Sequence, residues 1–145
     1  MAKKKIKGVL ISINEKGTNE VSVVEVQDDL QAYYDILNCD CIDITERSIN
    51  GNYYDIVCDD EGLLKSDFQV TAMNYAGDTM LVGNLFICSH TNSGTMKSLN
   101  EKSIQSILDN IVGVTGYFNS KLYDNTKVLL LDYRGEYYVN DKRIY

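Results

Sequence analysis

Residues 40–59 read DCIDITERSINGNYYDIVCD. The first part alternates, with Ile42 and Ile44 on one side and Cys41, Asp43 and Thr45 on the other, which is the period of a strand over residues 40–46. Asn50-Gly51-Asn52 supplies residues that tolerate the backbone of a tight turn, and residues 53–59 return to a strand pattern. The segment therefore predicts a β-hairpin and makes an antiparallel sheet the organising element of the chain.

Working outward toward the N-terminus, residues 6–13 and 20–27 are rich in Val and Ile and flank the turn formers of residues 14–19, which predicts a second hairpin. One inward face would carry Val9, Ile11 and Ile13. The other would carry either Val24 and Val26 or Val21 and Val23, and the alternation leaves that choice open. Asp28 offers a carboxylate to cap a helix, with Gln31 at the capping-box position and Leu30, Tyr33, Tyr34 and Leu37 at helical spacing.

Toward the C-terminus, residues 79–88 (TMLVGNLFIC) predict one strand at the centre of the sheet, with Gly83 marking a bulge or a close backbone approach. Ser98 and Glu101 form an S-x-x-E capping box for a helix over residues 98–111, whose stripe of Ile104, Ile107, Leu108 and Ile111 reads as core. Residues 126–133 (TKVLLLDY), a turn at Arg134-Gly135 and residues 136–139 predict a terminal hairpin. Its Tyr137, Tyr138 and Tyr145 suit an interface, so residues 126–145 are expected to help form a homo-oligomer. The expected fold class is α+β: an antiparallel sheet of about six to eight strands with two helices packed on it.

Composition sets the limits on function. At 145 residues, 44% hydrophobic and 24% charged, the chain fits one domain over residues 1–145 with a real core. No proline or low-complexity stretch marks a linker. No apolar run approaches the ~18 residues of a membrane span, and the four lysines of residues 1–7 precede no signal-peptide core. A cytoplasmic protein without membrane contact is expected. Cys39, Cys41, Cys58 and Cys88 have poor spacing for zinc or paired disulfides and are expected to be buried or half-buried thiols. The net charge of −7 and pI of about 4.6 argue against direct binding to nucleic acid. An acidic surface of this kind serves solubility, or mimics a DNA backbone.

Catalytic groups are scarce. His90 is the only histidine, so any Ser/His/Asp or Cys/His arrangement must use it, and no phosphate-loop or dinucleotide fingerprint is present. No catalytic set, metal site or cofactor is expected. The polar stretch Ser89-His90-Thr91-Asn92-Ser93-Gly94-Thr95 can instead surround a phosphate or ribose ahead of a helix. Phe86, Arg47, Tyr53 and Tyr75 are candidates for stacking on a base or pairing with phosphate. The binding set is thus His90, Thr91, Asn92, Ser93 and Thr95 with Phe86, Arg47 and Tyr75, and the expected partner is a small nucleotide.

The order of signals from Leu30 through Leu108 resembles a domain family of unknown function that is frequent in bacteriophages and mobile elements of bacteria. The resemblance rests on the helix with Leu30 and Leu37 and on the strand Cys41-Ile42-Asp43-Ile44. It rests further on Val57-Cys58-Asp59-Asp60-Glu61-Gly62-Leu63-Leu64-Lys65, where the family tends to have V-N-E-E-G-K-L, and on Val82-Gly83-Asn84-Leu85-Phe86-Ile87, where it tends to have V-G-x-A-L-V-V. The last match is the helix start Ser98-Leu99-Asn100-Glu101. Where the family often carries an asparagine and two arginines, this chain reads Asp67-Phe68-Gln69-Val70-Thr71-Ala72. The resemblance implies a phage or prophage accessory protein acting in an infected bacterial cell. Two anti-defence roles follow: a sponge that sequesters a cyclic nucleotide or ADP-ribose derivative uncleaved, or an acidic DNA mimic that inhibits a host nucleic-acid-binding defence protein. An enzyme that hydrolyses such signals, with His90 as its acid-base group, ranks third.

Overall fold

The computed structural model describes residues 4–62, 68–118 and 120–132. The elements run β1 (Lys5–Ile13), β2 (Asn19–Gln27), α1 (Leu30–Leu37), β3 (Ile42–Ile49), β4 (Asn52–Asp59), β5 (Val70–Asn74), β6 (Thr79–Val82), β7 (Leu85–His90), β8 (Met96–Lys97), α2 (Glu101–Asp109), β9 (Ile111–Phe118) and β10 (Lys121–Leu131). The fold is α+β with two helices among the described residues, as the sequence predicts. Both expected hairpins, β1–β2 and β3–β4, form in continuous antiparallel register.

The strands make two sheets. The larger has the order β2-β1-β7-β4-β3, with β8 paired to β7, and the smaller has the order β6-β5-β10-β9. All pairs are antiparallel except β5 with β10, which is parallel. The run 79–88 is therefore two strands in different sheets. Gly83, at φ +75°, breaks it where a residue with a side chain would be strained. Only the second half, β7, is a central strand.

The larger sheet is covered on both faces. On one, Val9, Ile11, Ile56 and Ile87 pack with Ala72, Leu129 and Leu131 of the smaller sheet and with Ile104 and Ile107 of α2. On the other, Ile6, Val26, Val57, Phe86 and Cys88 pack under Tyr33 and Leu37 of α1. Double coverage explains why alternation could not choose an inner face for β2: Val24 and Val26 serve the α1 side and Val21 the opposite one. Burying Leu37 contributes about 1.5–3 kcal/mol, which helps to hold an eight-residue helix that is too short to persist alone.

Both helix starts differ from expectation by one or two residues. Asp29, not Asp28, caps α1 by accepting from Ala32 N at 2.8 Å, while Asp28 accepts from the Tyr33 hydroxyl at 2.9 Å. Leu30 is exposed. Asn100, not Ser98, caps α2 by accepting from Ser103 N at 2.8 Å. Ser98 Oγ accepts from Lys7 N at 2.8 Å and Leu99 N donates to Lys7 O at 2.9 Å, which ties the entry of α2 to β1. Ile111 starts β9 rather than ending the helix.

Two polar side chains fix the placement of β2 against the smaller sheet and of the β3–β4 turn. The buried Asn19 amide donates to Val70 O at 3.1 Å and Lys127 O at 2.7 Å and joins β2 to the smaller sheet. The Asp132 carboxylate accepts from Gly51 N at 2.8 Å, from Asn50 N at 3.2 Å and from the Ser48 hydroxyl, and so pins the β3–β4 turn. Cys58 and Cys88 are buried free thiols, pushed up by burial to about 11 and about 12, and behave as small hydrophobes at neutral pH. Cys39 is half-buried, and Cys41, contrary to expectation, is exposed. The terminal turn and strand expected at residues 134–139, with Tyr137, Tyr138 and Tyr145, lie outside the described residues. No helix among the described residues is long and apolar enough to cross a membrane.

Candidate functional site

Because Asp132 holds the β3–β4 turn and β1 holds the entry of α2, the two face each other across the end of β7. Between them lies a cleft of about 580 Å³. Asn50, Asn52, Tyr53 and Tyr54 form one wall, Ser89 and Lys97 lie at its back, and Ser98, Leu99, Asn100, Lys102, Ser103 and Ser106 form the other wall. Ser89 and Lys97 are cross-strand partners in the β7–β8 pair. Tyr54 and Leu99 are buried in the core and fix the floor, whereas Tyr53 is 61% exposed and free to offer a ring face. The first turn of α2 presents its N–H groups and the positive end of the helix dipole at the same wall.

A second hollow of about 560 Å³ is nearly as large, and charge distinguishes the two. Among the described residues, Asp35, Asp40, Asp59 and Glu61 line it without a lysine or arginine, a lining that disfavours anions. Among the described residues, the first cleft is lined by Lys97 and Lys102 and by no carboxylate. On a chain of net charge −7 that local reversal of sign favours an anionic ligand there.

The structure separates the residues that the sequence grouped. Thr91, Asn92, Ser93 and Thr95 form the tip of the β7–β8 hairpin, where the groups bond one another. Thr91 N donates to Thr95 O at 2.8 Å, Gly94 N donates to Thr91 O at 2.9 Å, and Thr91 Oγ1 lies 2.9 Å from Ser93 Oγ and 2.8 Å from Thr95 Oγ1. The strand β8 stands between this tip and α2. Phe86 is fully buried against Tyr33, with ring centres 6.1 Å apart. Arg47 donates from Nε to Thr45 Oγ1 at 3.0 Å and borders a hollow beside Asp43, Asp59 and Asp60. Tyr75 is exposed in the β5–β6 turn. Of the stretch from Ser89 to Thr95 only Ser89 lines the cleft. Lys97 and Lys102 were the missed residues, and the signal for them was a pair of cations flanking the start of the predicted helix.

His90 is placed differently. Its Nδ1 lies 2.7 Å from Oδ2 of Asp55, a carboxylate that is only 6% exposed on β4. Asp55 stands directly opposite Glu46 of β3. One donor atom from each of Glu46, Asp55 and His90 lies within 4.8 Å of the others, so these three could hold a metal ion. The signal for Asp55 was a charge inside an otherwise apolar strand core.

No curated protein and no solved structure matches this chain. A match to a family defined by sequence runs from β1 to the start of β9, and it takes in α1, both walls of the cleft and the Glu46-Asp55-His90 group. On that match over residues 6–111, the chain belongs to DUF3846, a domain family of unknown function.

Proposed function

We propose that this protein binds a small nucleotide-derived signal, a cyclic nucleotide or ADP-ribose derivative, in the cleft between the β3–β4 turn and α2, and sequesters it uncleaved. The observation that carries this reading is the pairing of two lysines and a helix N-terminus with an exposed tyrosine in one cleft that no carboxylate lines among the described residues. Lysines and helix N–H groups suit phosphates, a tyrosine face suits a base, and the asparagine and serine side chains suit ribose hydroxyls. The setting proposed for this activity is a bacteriophage or prophage protein countering a host defence signal, on the resemblance noted above. Exposed Tyr117 and Leu122 on the β9–β10 hairpin are the described surface that would suit the proposed homo-oligomer.

The alternative, DNA mimicry, is favoured by the acidic hollow around Asp35, Asp40, Asp59 and Glu61. Amide chemical-shift mapping separates the two. Titrating isotope-labelled protein with cyclic mononucleotides, cyclic dinucleotides and ADP-ribose is expected to give saturable shifts at residues 50–54, at Ser89 and at residues 97–106 for at least one of them. Absence of saturable shifts with all of them, or shifts confined to the acidic hollow, would overturn the reading.

A further inference from the structure

The Glu46, Asp55 and His90 group has no part in the nucleotide cleft described above. In the β3–β4 register Glu46 and Asp55 are direct cross-strand neighbours, and like charges in that relation destabilise a sheet. Asp55 is moreover nearly buried on the interior strand β4, where an ionised carboxylate is costly unless a cation compensates it. The group placed in contact with Asp55 is the His90 imidazole, 2.7 Å away and itself reachable from solvent.

Two carboxylates and one imidazole are brought together from three adjacent strands, with Glu46 and Asp55 paired in the β3–β4 ladder and His90 paired with Met96 in the β7–β8 ladder. We infer that Glu46, Asp55 and His90 form a binding site for one divalent first-row transition cation, which relieves the repulsion between the two carboxylates. An oxygen-rich set with one imidazole suits Zn²⁺, Mn²⁺ or Fe²⁺ better than the softer Cu⁺, and three protein ligands leave coordination positions to water.

The test is calorimetric titration of the full chain, freed of metal, with ZnCl₂. One Zn²⁺ per chain is expected. His90→Ala and Glu46→Gln, both at exposed positions, are expected to weaken binding at least about tenfold each while leaving the circular dichroism spectrum unchanged. A Cys39→Ser/Cys41→Ser double variant is expected to bind as the native chain does, and Co²⁺ is expected to give no thiolate charge-transfer band. No saturable binding, binding unaltered by H90A and E46Q, or binding lost in the cysteine variant would each overturn the site.

Discussion

Replacing Phe86 with alanine is expected to lower folding stability by about 3–5 kcal/mol, the range for truncating a buried aromatic side chain. The size follows from where the ring sits. Phe86 has no exposed surface, lies between the larger sheet and α1, and is bounded by Tyr33, Val57 and Cys88. Gly8 of β1 is adapted to it: a Cβ built there would fall 2.8 Å from the Phe86 ring and 2.2 Å from the Ile87 carbonyl oxygen. The backbone thus approaches too closely for the neighbouring strand to collapse into the space that truncation leaves. Total stabilities of domains are about 5–15 kcal/mol, so F86A should shift the urea midpoint strongly with the m-value unchanged. Where the variant remains folded, nucleotide affinity should equal that of the native chain. Loss of affinity with stability intact would return Phe86 to the stacking role that its sequence suggested.

The second large effect is expected from reversing the charge of the cleft. A lysine within about 4 Å of a phosphate charge gains about 1 kcal/mol in a water-like dielectric, and a glutamate there loses as much. In Lys97→Glu/Lys102→Glu both changes act on the same anion. Even with screening at physiological salt, nucleotide affinity should fall on the order of 100-fold, and the native affinity should itself weaken as salt rises. Both lysines are exposed, so thermal stability should change little. The double variant also discriminates against DNA mimicry, because a more acidic protein should inhibit a DNA-binding partner equally well or better.

The hairpins were legible because their information is local. The alternation of residues 40–46 and the Asn50-Gly51 turn specify β3 and β4 without reference to the rest of the chain. The helix caps were legible only to within a residue or two, because neighbouring side chains compete for the role and distant partners decide it. Tyr33 takes Asp28 and Lys7 takes Ser98, which leaves Asp29 and Asn100 to cap. The run 79–88 misled for another reason: half-buried Met80 and Leu81 of β6 pack on the core beside buried β7, so hydrophobicity continues across the break at Gly83 and only the glycine marks it.

The cleft was hidden because its walls come from residues 50–54 and 97–106, which share no local pattern. The loop around His90 drew notice for its polar composition, yet in the fold its hydroxyls satisfy one another. The partner of His90 lies 35 residues earlier in the chain, beyond the reach of any spacing rule.

A His90–Asp55 pair on a sheet also has the parts of a general base, so holding a ligand must be distinguished from altering it. Incubation of purified protein with the nucleotide that binds best, removal of free ligand, heat denaturation and mass analysis of what is released makes that distinction. The expected result is quantitative recovery of the unaltered nucleotide at a fixed ratio to protein, however long the incubation. Release of a cleaved product that accumulates with time, and whose formation stops in His90→Ala, would contradict it.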